Sequence, residues 1–299
     1  MEKIEVLWSG GWDSTFMLCL LAKTKDAVIQ PFYLDIHRHI RKRELMAVSA
    51  ILKVLRKKKD LKAVIRPVRY VDMKYFSPAQ DVLDAFDKYK SEPYLIGGQQ
   101  RYIAEFSKSH KGICWGQERY LETPGHMTRL LYEKGHMKFD KDGVGYFDRD
   151  DCDPDVFTLF GNLSCPVAKY SELMMWDKIR EWHYEDVFSH ISFCYYPVDG
   201  KPCGVCLPCR VKLKQGLTWF FDEAALKRNV VWKKLDVNKD VVRFGSGRLT
   251  TLFERYCCPD YNKEFVEKVG DDSSLGKLLR QKVEDELGVY SSYFDALLK

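Results

Sequence analysis

Two groups of residues in this chain have the types and spacing that chemistry requires. The first is Ser9-Gly10-Gly11-Trp12-Asp13-Ser14, followed by Thr15. Paired glycines let the backbone turn tightly and approach a ligand closely. Where such a turn opens a helix, the free N–H groups and the helix dipole favour a bound phosphate. The hydroxyls of Ser9, Ser14 and Thr15 add donors, and Asp13 can hold Mg²⁺ or fix the turn. The plain alternative is a β–α turn capped by Asp13 or Ser14. The whole hexapeptide, placed after the first apolar run, favours the phosphate reading. A Walker A loop would need a lysine at longer spacing, and no GxGxxG run follows a strand. The second group is Cys194, Cys203, Cys206 and Cys209, spaced C-x8-C-x2-C-x2-C. Zn²⁺ takes four thiolates at tetrahedral corners, and C-x2-C spacing converges neighbouring thiolates on one ion. A closed four-thiolate shell leaves no open position, so the metal is expected to be structural.

Both groups need elements to position them. Residues 4–8 read as a strand, 14–23 as a buried helix and 28–34 as a second strand. Residues 43–56 read as a helix with Leu45, Val48, Ile51, Leu52 and Leu55 on one face. Residues 63–68 give a third strand, 102–109 a helix, and 112–115 a fourth strand. This alternation predicts an α/β fold with a doubly wound, mostly parallel sheet covered on both faces. Residues 118–162, rich in glycine and aspartate, read as a loop-rich insertion outside that sheet. A helix is expected over 171–182, then the cysteine cluster, then a charged helical extension without strands beyond 242. The domains expected are residues 1–214, which include the cysteines, and residues 215–299.

With 48 basic and 43 acidic groups the net charge is only +5, too mild to imply nucleic acid by itself. No apolar run reaches the length of about 18 residues that suggests a membrane span. The start, Met1-Glu2-Lys3-Ile4-Glu5, has no secretory character, so a cytoplasmic setting is expected. There the ten cysteines point to metal or thiol chemistry rather than disulfides.

Together the motifs resemble the 7-cyano-7-deazaguanine synthase family of the ATP pyrophosphatase (PP-loop) superfamily. The S-G-G-x-D-S turn is matched by Ser9 to Ser14. For the late S-C-Y…C-G-x-C-x-x-C cluster the corresponding stretches read Phe193-Cys194-Tyr195 and Cys203-Gly204-Val205-Cys206-Leu207-Pro208-Cys209. Arg38-His39 before Glu44-Leu45, and Cys165-Pro166-Val167, also follow the family's order. The resemblance spans about residues 4–214. It implies adenylation of 7-carboxy-7-deazaguanine by ATP, attack by ammonia to give an amide and then a nitrile, one zinc per subunit, and a homodimer. It implies that the Ser9–Ser14 loop holds the leaving pyrophosphate. The ATP candidates are Ser9, Gly10, Gly11, Asp13, Ser14 and Thr15, with Asp35 and His39 added for their place at and after the second strand, and Asp13, Ser14 and Arg101 are the catalytic candidates. Asp35 reads equally as a turn or cap residue. Gln117, Glu118 and Arg119 are the substrate candidates.

The chain departs from the family where substrate is bound. Gly97-Gly98-Gln99-Gln100-Arg101 replaces a G-R-N segment, and the insertion replaces an acid- and arginine-containing loop. Such divergence resembles relatives in phage or antiviral defence systems that join a deazaguanine to another molecule. The insertion and the extension are where a protein partner would be accommodated. Transfer-RNA thiolation, also found on PP-loop domains, needs a redox cysteine pair, yet every C-x2-C here lies inside the cluster. A zinc-stabilised interaction module with a degenerate ATP turn is the reading from another class, opposed by the intact Ser9, Asp13 and Ser14. Of the histidines, His37, His39 and His126 are the candidates, and only His39 is assigned a role.

Overall fold

The computed structural model describes residues 1–91, 96–120, 127–237, 243–244, 247–258, 260–261 and 274–298. It divides into two compact units, Met1–Ser192 and Phe193–Lys299.

The first unit is built on β1 (Glu2–Leu7), β2 (Ala27–Asp35), β3 (Val64–Ile65), β4 (Arg69–Asp72), β5 (Ile113–Cys114) and β8 (Leu163–Ser164). These form one sheet in the order β3-β2-β1-β5-β8, with β4 also on β2, and every pairing is parallel. The near-continuous apolar run of β2 is what a strand buried on both faces requires. The third strand expected over 63–68 is only the two-residue β3, with β4 following beyond it, for a covalent reason. Pro31 in β2 has no N–H to donate, and Pro67 separates β3 from β4. The Gln30 side-chain amide bridges the gap, donating to the carbonyls of Pro31 (3.1 Å) and Pro67 (2.9 Å).

Successive side chains of β2 point to opposite faces. Tyr33 reaches α2 (Arg41–Leu55), its hydroxyl donating to Glu44 at 2.8 Å. Phe32 packs edge-on against Phe106 of α4 (Gln100–Ser109), centroids 5.3 Å apart. On the α2 face lie α1 (Trp12–Thr24), α7 (Glu172–Glu181) and α8 (Glu185–Phe188). There Trp12 meets Phe188 at 5.3 Å and Phe16 stacks on Trp182 at 5.5 Å. The α4 face carries α3 (Gln80–Ser91) and α6 (Pro154–Phe160). The expected doubly wound α/β fold is present. Helix α3 had no counterpart in the sequence reading, although Val82, Ala85, Phe86 and Tyr89 form a buried stripe at helical spacing.

The described part of the insertion is more ordered than a loop. It holds α5 (Met127–Glu133), the antiparallel pair β6 (Lys138–Phe139) and β7 (Gly145–Tyr146), and α6. The aspartates are structural here: Asp153 caps α6 by accepting from the backbone N–H of Asp155 and Val156. Phe147, Val156, Leu159 and Phe160 then join the core.

The second unit contains α9 (Leu207–Lys214), α10 (Glu223–Val237), a short antiparallel pair of β9 (Arg243–Phe244) and β10 (Gly247–Arg248), α11 (Leu249–Cys257) and α12 (Ser274–Leu298). That pair lies just beyond 242, where no strand was expected. All four cysteines share one core with Ala225, Val231, Phe253 and Phe294 of these helices. The division falls between Ser192 and Phe193, whereas the sequence-based boundary follows residue 214.

Candidate nucleotide turn and metal centre

Strand order reverses at β1, which has β2 on one side and β5 on the other. Ligands of open α/β sheets bind in the crevice beyond the carboxyl ends of the strands at such a switch point. Both loops leaving that point hold sequence-predicted residues. After β1, Gly10 sits at φ +73°, a conformation L side chains rarely adopt, and Gly11 caps α1. Ser9 and Ser14 hydroxyls lie 3.2 Å apart, and Ser14 Oγ accepts from the Ser9 backbone N–H at 3.3 Å. After β5, Gly116 passes so close to α1 that a Cβ there would stand 2.8 Å from the Ser14 backbone.

That close approach brings Glu118 to Asp13, and the start of α7 adds Glu172. One carboxylate oxygen from each of Asp13, Glu118 and Glu172 lies within 4.8 Å of the others. Glu118 is 6% and Glu172 3% exposed. Three such charges repel by about 3 kcal/mol per pair at an effective dielectric near 20. A bound divalent cation would relieve that repulsion. Glu172 was missed by sequence reasoning, because an acid following an N-cap serine (Ser171) reads as an ordinary helix start.

The other candidates are distributed as follows. Thr15 is fully buried and its hydroxyl accepts from the Trp8 indole at 3.1 Å, so it faces the core. Asp35 is engaged by the chain itself: it accepts from the His37 backbone N–H at 3.0 Å and pairs with Arg41 at 2.5 Å. His39 is exposed, in the turn leading to α2. His37 pairs with Asp72 at 2.7 Å, which together with the Lys74 backbone N–H holds the Asp72 carboxyl below its ordinary range. The buried Glu44 carboxyl accepts from Arg38 at 2.5 Å and from Tyr33. Burial raises its pKa, against the pull of the Arg38 charge. Gln117 donates to Thr128 at 2.9 Å and to the Glu118 carbonyl at 3.1 Å, holding the loop. Arg119 is exposed, and Arg101 lies over the rings of Tyr102 and Phe86 on the α3–α4 face. His126 lies outside the described residues.

The metal-binding cysteines are assembled locally. Asp199 and Gly200, both at positive φ, make a two-residue turn closed by Val198–Lys201 hydrogen bonds of 2.9 Å in each direction. This sets Cys194 beside Cys203, whose backbone N–H donates to the Cys194 sulfur at 3.3 Å. Cys206 caps α9 and Cys209 lies in its first turn. Sulfur separations are 3.8 Å for Cys194–Cys206 and Cys203–Cys209, and 3.4 Å for Cys206–Cys209. A tetrahedral ion with metal–sulfur bonds of about 2.3 Å requires thiolates about 3.8 Å apart. An iron–sulfur cubane places each thiolate on its own iron and spreads them much wider. The donor set and spacing therefore fit a single ion.

The extension clasps this knuckle. Gly204 has φ +82°, and a Cβ there would stand 2.2 Å from the Ala225 carbonyl oxygen of α10. From the same helix Arg228 donates to the Cys203 carbonyl (2.8 Å) and Asn229 to the Gly204 carbonyl (2.9 Å). Arg210 lies 4.0 Å from the Trp232 ring centroid and pairs with Glu254 of α11.

Fold and sites define an α/β protein with a glycine turn at the switch point of a parallel sheet and a four-cysteine metal-binding knuckle. No protein-family profile matches the chain, and no curated protein matches it. Among solved structures it is similar to the U34-tRNA thiolase NcsA from Methanococcus maripaludis with its [4Fe-4S] cluster. The identity is 13%, covering 83% of this chain and 77% of that one, with a TM-score of 0.37. That likeness is too distant to argue from. Among the described residues no helix is long and apolar enough to cross a membrane.

Proposed function

We propose that the chain is an ATP-dependent ligase of the PP-loop type, which adenylates the carboxylate of a 7-deazaguanine acid and passes the acyl group to a nitrogen nucleophile. The observation that carries this reading is the Ser9–Ser14 turn at the switch point, opening α1 beside the carboxylates of Asp13, Glu118 and Glu172. The turn's backbone N–H groups and the Ser9 and Ser14 hydroxyls bind the pyrophosphate portion of ATP. Asp13, Glu118 and Glu172 are the residues that would hold Mg²⁺, which would neutralise charge on that leaving group. A substrate carboxylate oxygen attacks the α-phosphorus and pyrophosphate leaves. Ammonia or an amine then attacks the acyl carbon, and AMP departs with that oxygen. Arg119, exposed and next to Glu118 in the chain, is assigned to meeting an incoming carboxylate. Arg101, on its aromatic bed, is assigned to orienting substrate rather than to the reacting atoms.

Zn²⁺ is the ion assigned to Cys194, Cys203, Cys206 and Cys209, where it supplies folding energy rather than a reaction step. The remaining cysteines of the first unit do not favour thiol chemistry. Burial raises the thiol pKa of Cys19 and Cys165, and pushes Cys114 and Cys152 up to about 12.

The test is to incubate the protein with ATP, Mg²⁺ and 7-carboxy-7-deazaguanine, with and without ammonium, and to follow products by mass spectrometry. Ammonium-dependent AMP with amide or nitrile supports the synthase form. AMP with the acyl mass added to a macromolecular amine supports a ligase acting on a protein or nucleic-acid partner. Intact ATP together with no nucleotide binding would overturn both and favour the interaction-module alternative.

A further inference from the structure

Arg38 is a cation fixed more firmly than an ordinary surface side chain requires. Its guanidinium donates through Nη2 to Glu44 at 2.5 Å and through Nη1 to the Gln99 side-chain oxygen at 3.0 Å. Glu44 belongs to α2, is buried, and accepts a second bond from Tyr33 of β2. Gln99 is the residue that precedes α4. Helices α2 and α4 cover opposite faces of the sheet, as Tyr33 and Phe32 show. A side chain bonded to both must therefore cross the carboxyl end of β2, the edge at which ligands of such sheets bind. The loop that carries it is fixed as well. His37 takes φ +56°, a costly conformation outside glycine that persists only where neighbours impose it. Asp35 accepts from the His37 backbone N–H at 3.0 Å, and the His37 ring bonds Asp72 at 2.7 Å. The Arg38 carbonyl accepts from the Arg41 N–H at 2.9 Å.

The same helix ties Arg38 to the glycine turn. A Cβ on Gly10 would stand 3.1 Å from Val48 Cγ2 and 3.2 Å from Ala47 Cβ, so the turn after β1 lies directly on α2. Strands β2 and β3 are parallel, so α2 between them runs back from the carboxyl edge. Glu44 therefore lies on the crevice side of the Gly10 contact, one helical turn or about 5.4 Å away. We propose that Arg38 binds the α-phosphate of a nucleotide whose pyrophosphate portion occupies the Ser9–Ser14 turn, with Glu44 and Gln99 as its positioning residues. This rests on the ATP reading of that turn. The bonds to Glu44 and Gln99 use two of the five guanidinium donors, and the side chain remains 30% exposed. The rest of the fork can thus meet an oxyanion. Its anchors remove the rotamer freedom that an untethered arginine would lose on binding. A guanidinium held in this way meets charge on the α-phosphate without reorganising when adenylation occurs.

The test is calorimetric titration of the full-length protein with Mg²⁺·ATP, with AMP and with Mg²⁺·pyrophosphate. Wild type is compared with Arg38→Ala, with Gln99→Ala, and with a double variant carrying Arg38→Ala and Glu44→Gln. Hydrogen bonds to a charged group are worth about 10–100-fold in affinity. Arg38→Ala should therefore weaken ATP and AMP by about 10–100-fold and leave pyrophosphate within about threefold of wild type. The double variant removes the buried charge together with its partner, so it should fold and show the same pattern even if Arg38→Ala does not. Gln99→Ala keeps the cation but releases one side of its fork, and should weaken AMP by about threefold to tenfold with pyrophosphate unmoved. Unchanged AMP binding in the double variant would overturn the proposal. Equal weakening of all three ligands would show a general field or folding effect and overturn it too. Unchanged ATP and AMP with a raised KM for 7-carboxy-7-deazaguanine would assign Arg38 to the substrate carboxylate, again overturning it. Failure of wild type to bind any of the three ligands would remove the ATP reading itself, and the role of Arg38 with it.

Discussion

Replacing Gly204 by alanine should destabilise the metal-bearing unit by about 2–5 kcal/mol, from two separable causes. Gly204 has φ +82°, and a non-glycine residue there costs about 1–2 kcal/mol. Its added Cβ would also stand 2.2 Å from the Ala225 carbonyl oxygen and 2.8 Å from the carbonyl carbon. No rotamer relieves a Cβ against backbone, so α10 must shift, which adds about 1–3 kcal/mol of overpacking. That shift also loosens the bonds from Arg228 and Asn229 to the knuckle. Gly200 supplies the control, because it has φ +76° and nothing within 4 Å of its Cβ position. Gly200→Ala should therefore show the conformational cost alone. The assay is urea unfolding of the zinc-loaded full-length protein, reading the transition that releases metal to a chromophoric chelator. Gly204→Ala should fall well below Gly200→Ala. Equal midpoints for the two variants would refute the claim that α10 is docked on the knuckle through this contact.

Three further outcomes follow from the same geometry. Asp13→Asn should reduce acid-dependent ATP cleavage by about a hundredfold while leaving the fold intact, and activity within about threefold of wild type would remove Asp13 from the site. Stripping the metal with a strong chelator should lower far-UV helicity and open the second unit to protease, since a four-thiolate ion supplies folding energy, and an unchanged digestion pattern would contradict that role. Glu44 has a folded pKa raised above its ordinary 4.5, so the folded state binds this proton more tightly than the unfolded chain. Its contribution is present below pH 4.5 and lost as pH rises through the raised value. Glu44→Gln should flatten that part of the urea-midpoint profile against pH, and an identical profile would count against the burial argument.

What could be read from the sequence was whatever is encoded in short spacing. The alternation of apolar runs gave strands β1 and β2 and their helices. The six-residue turn and the four cysteines each announced themselves within a few positions. What depended on distant chain segments stayed hidden. Glu172 meets Asp13 only because the sheet brings the start of α7 to the end of β1. The break between β3 and β4 is bridged by the Gln30 side chain of β2, which donates to the Pro67 carbonyl, and Pro67 alone reads only as a break in its own segment. The aspartates of the insertion looked like a solvated loop, yet Asp153 is a helix cap above a buried aromatic cluster. Thr15 shows the converse: its type suited phosphate, but one step along α1 turned its hydroxyl into the core.

The most direct test of the adenylation account is to follow the substrate's own oxygen. The protein is given ATP, Mg²⁺, ammonium and 7-carboxy-7-deazaguanine labelled with ¹⁸O in the carboxylate, and the nucleotide products are weighed. The account predicts AMP bearing one ¹⁸O together with unlabelled pyrophosphate. ADP with labelled inorganic phosphate would show attack at the γ-phosphorus and contradict the role assigned to the Ser9–Ser14 turn, as would AMP free of label.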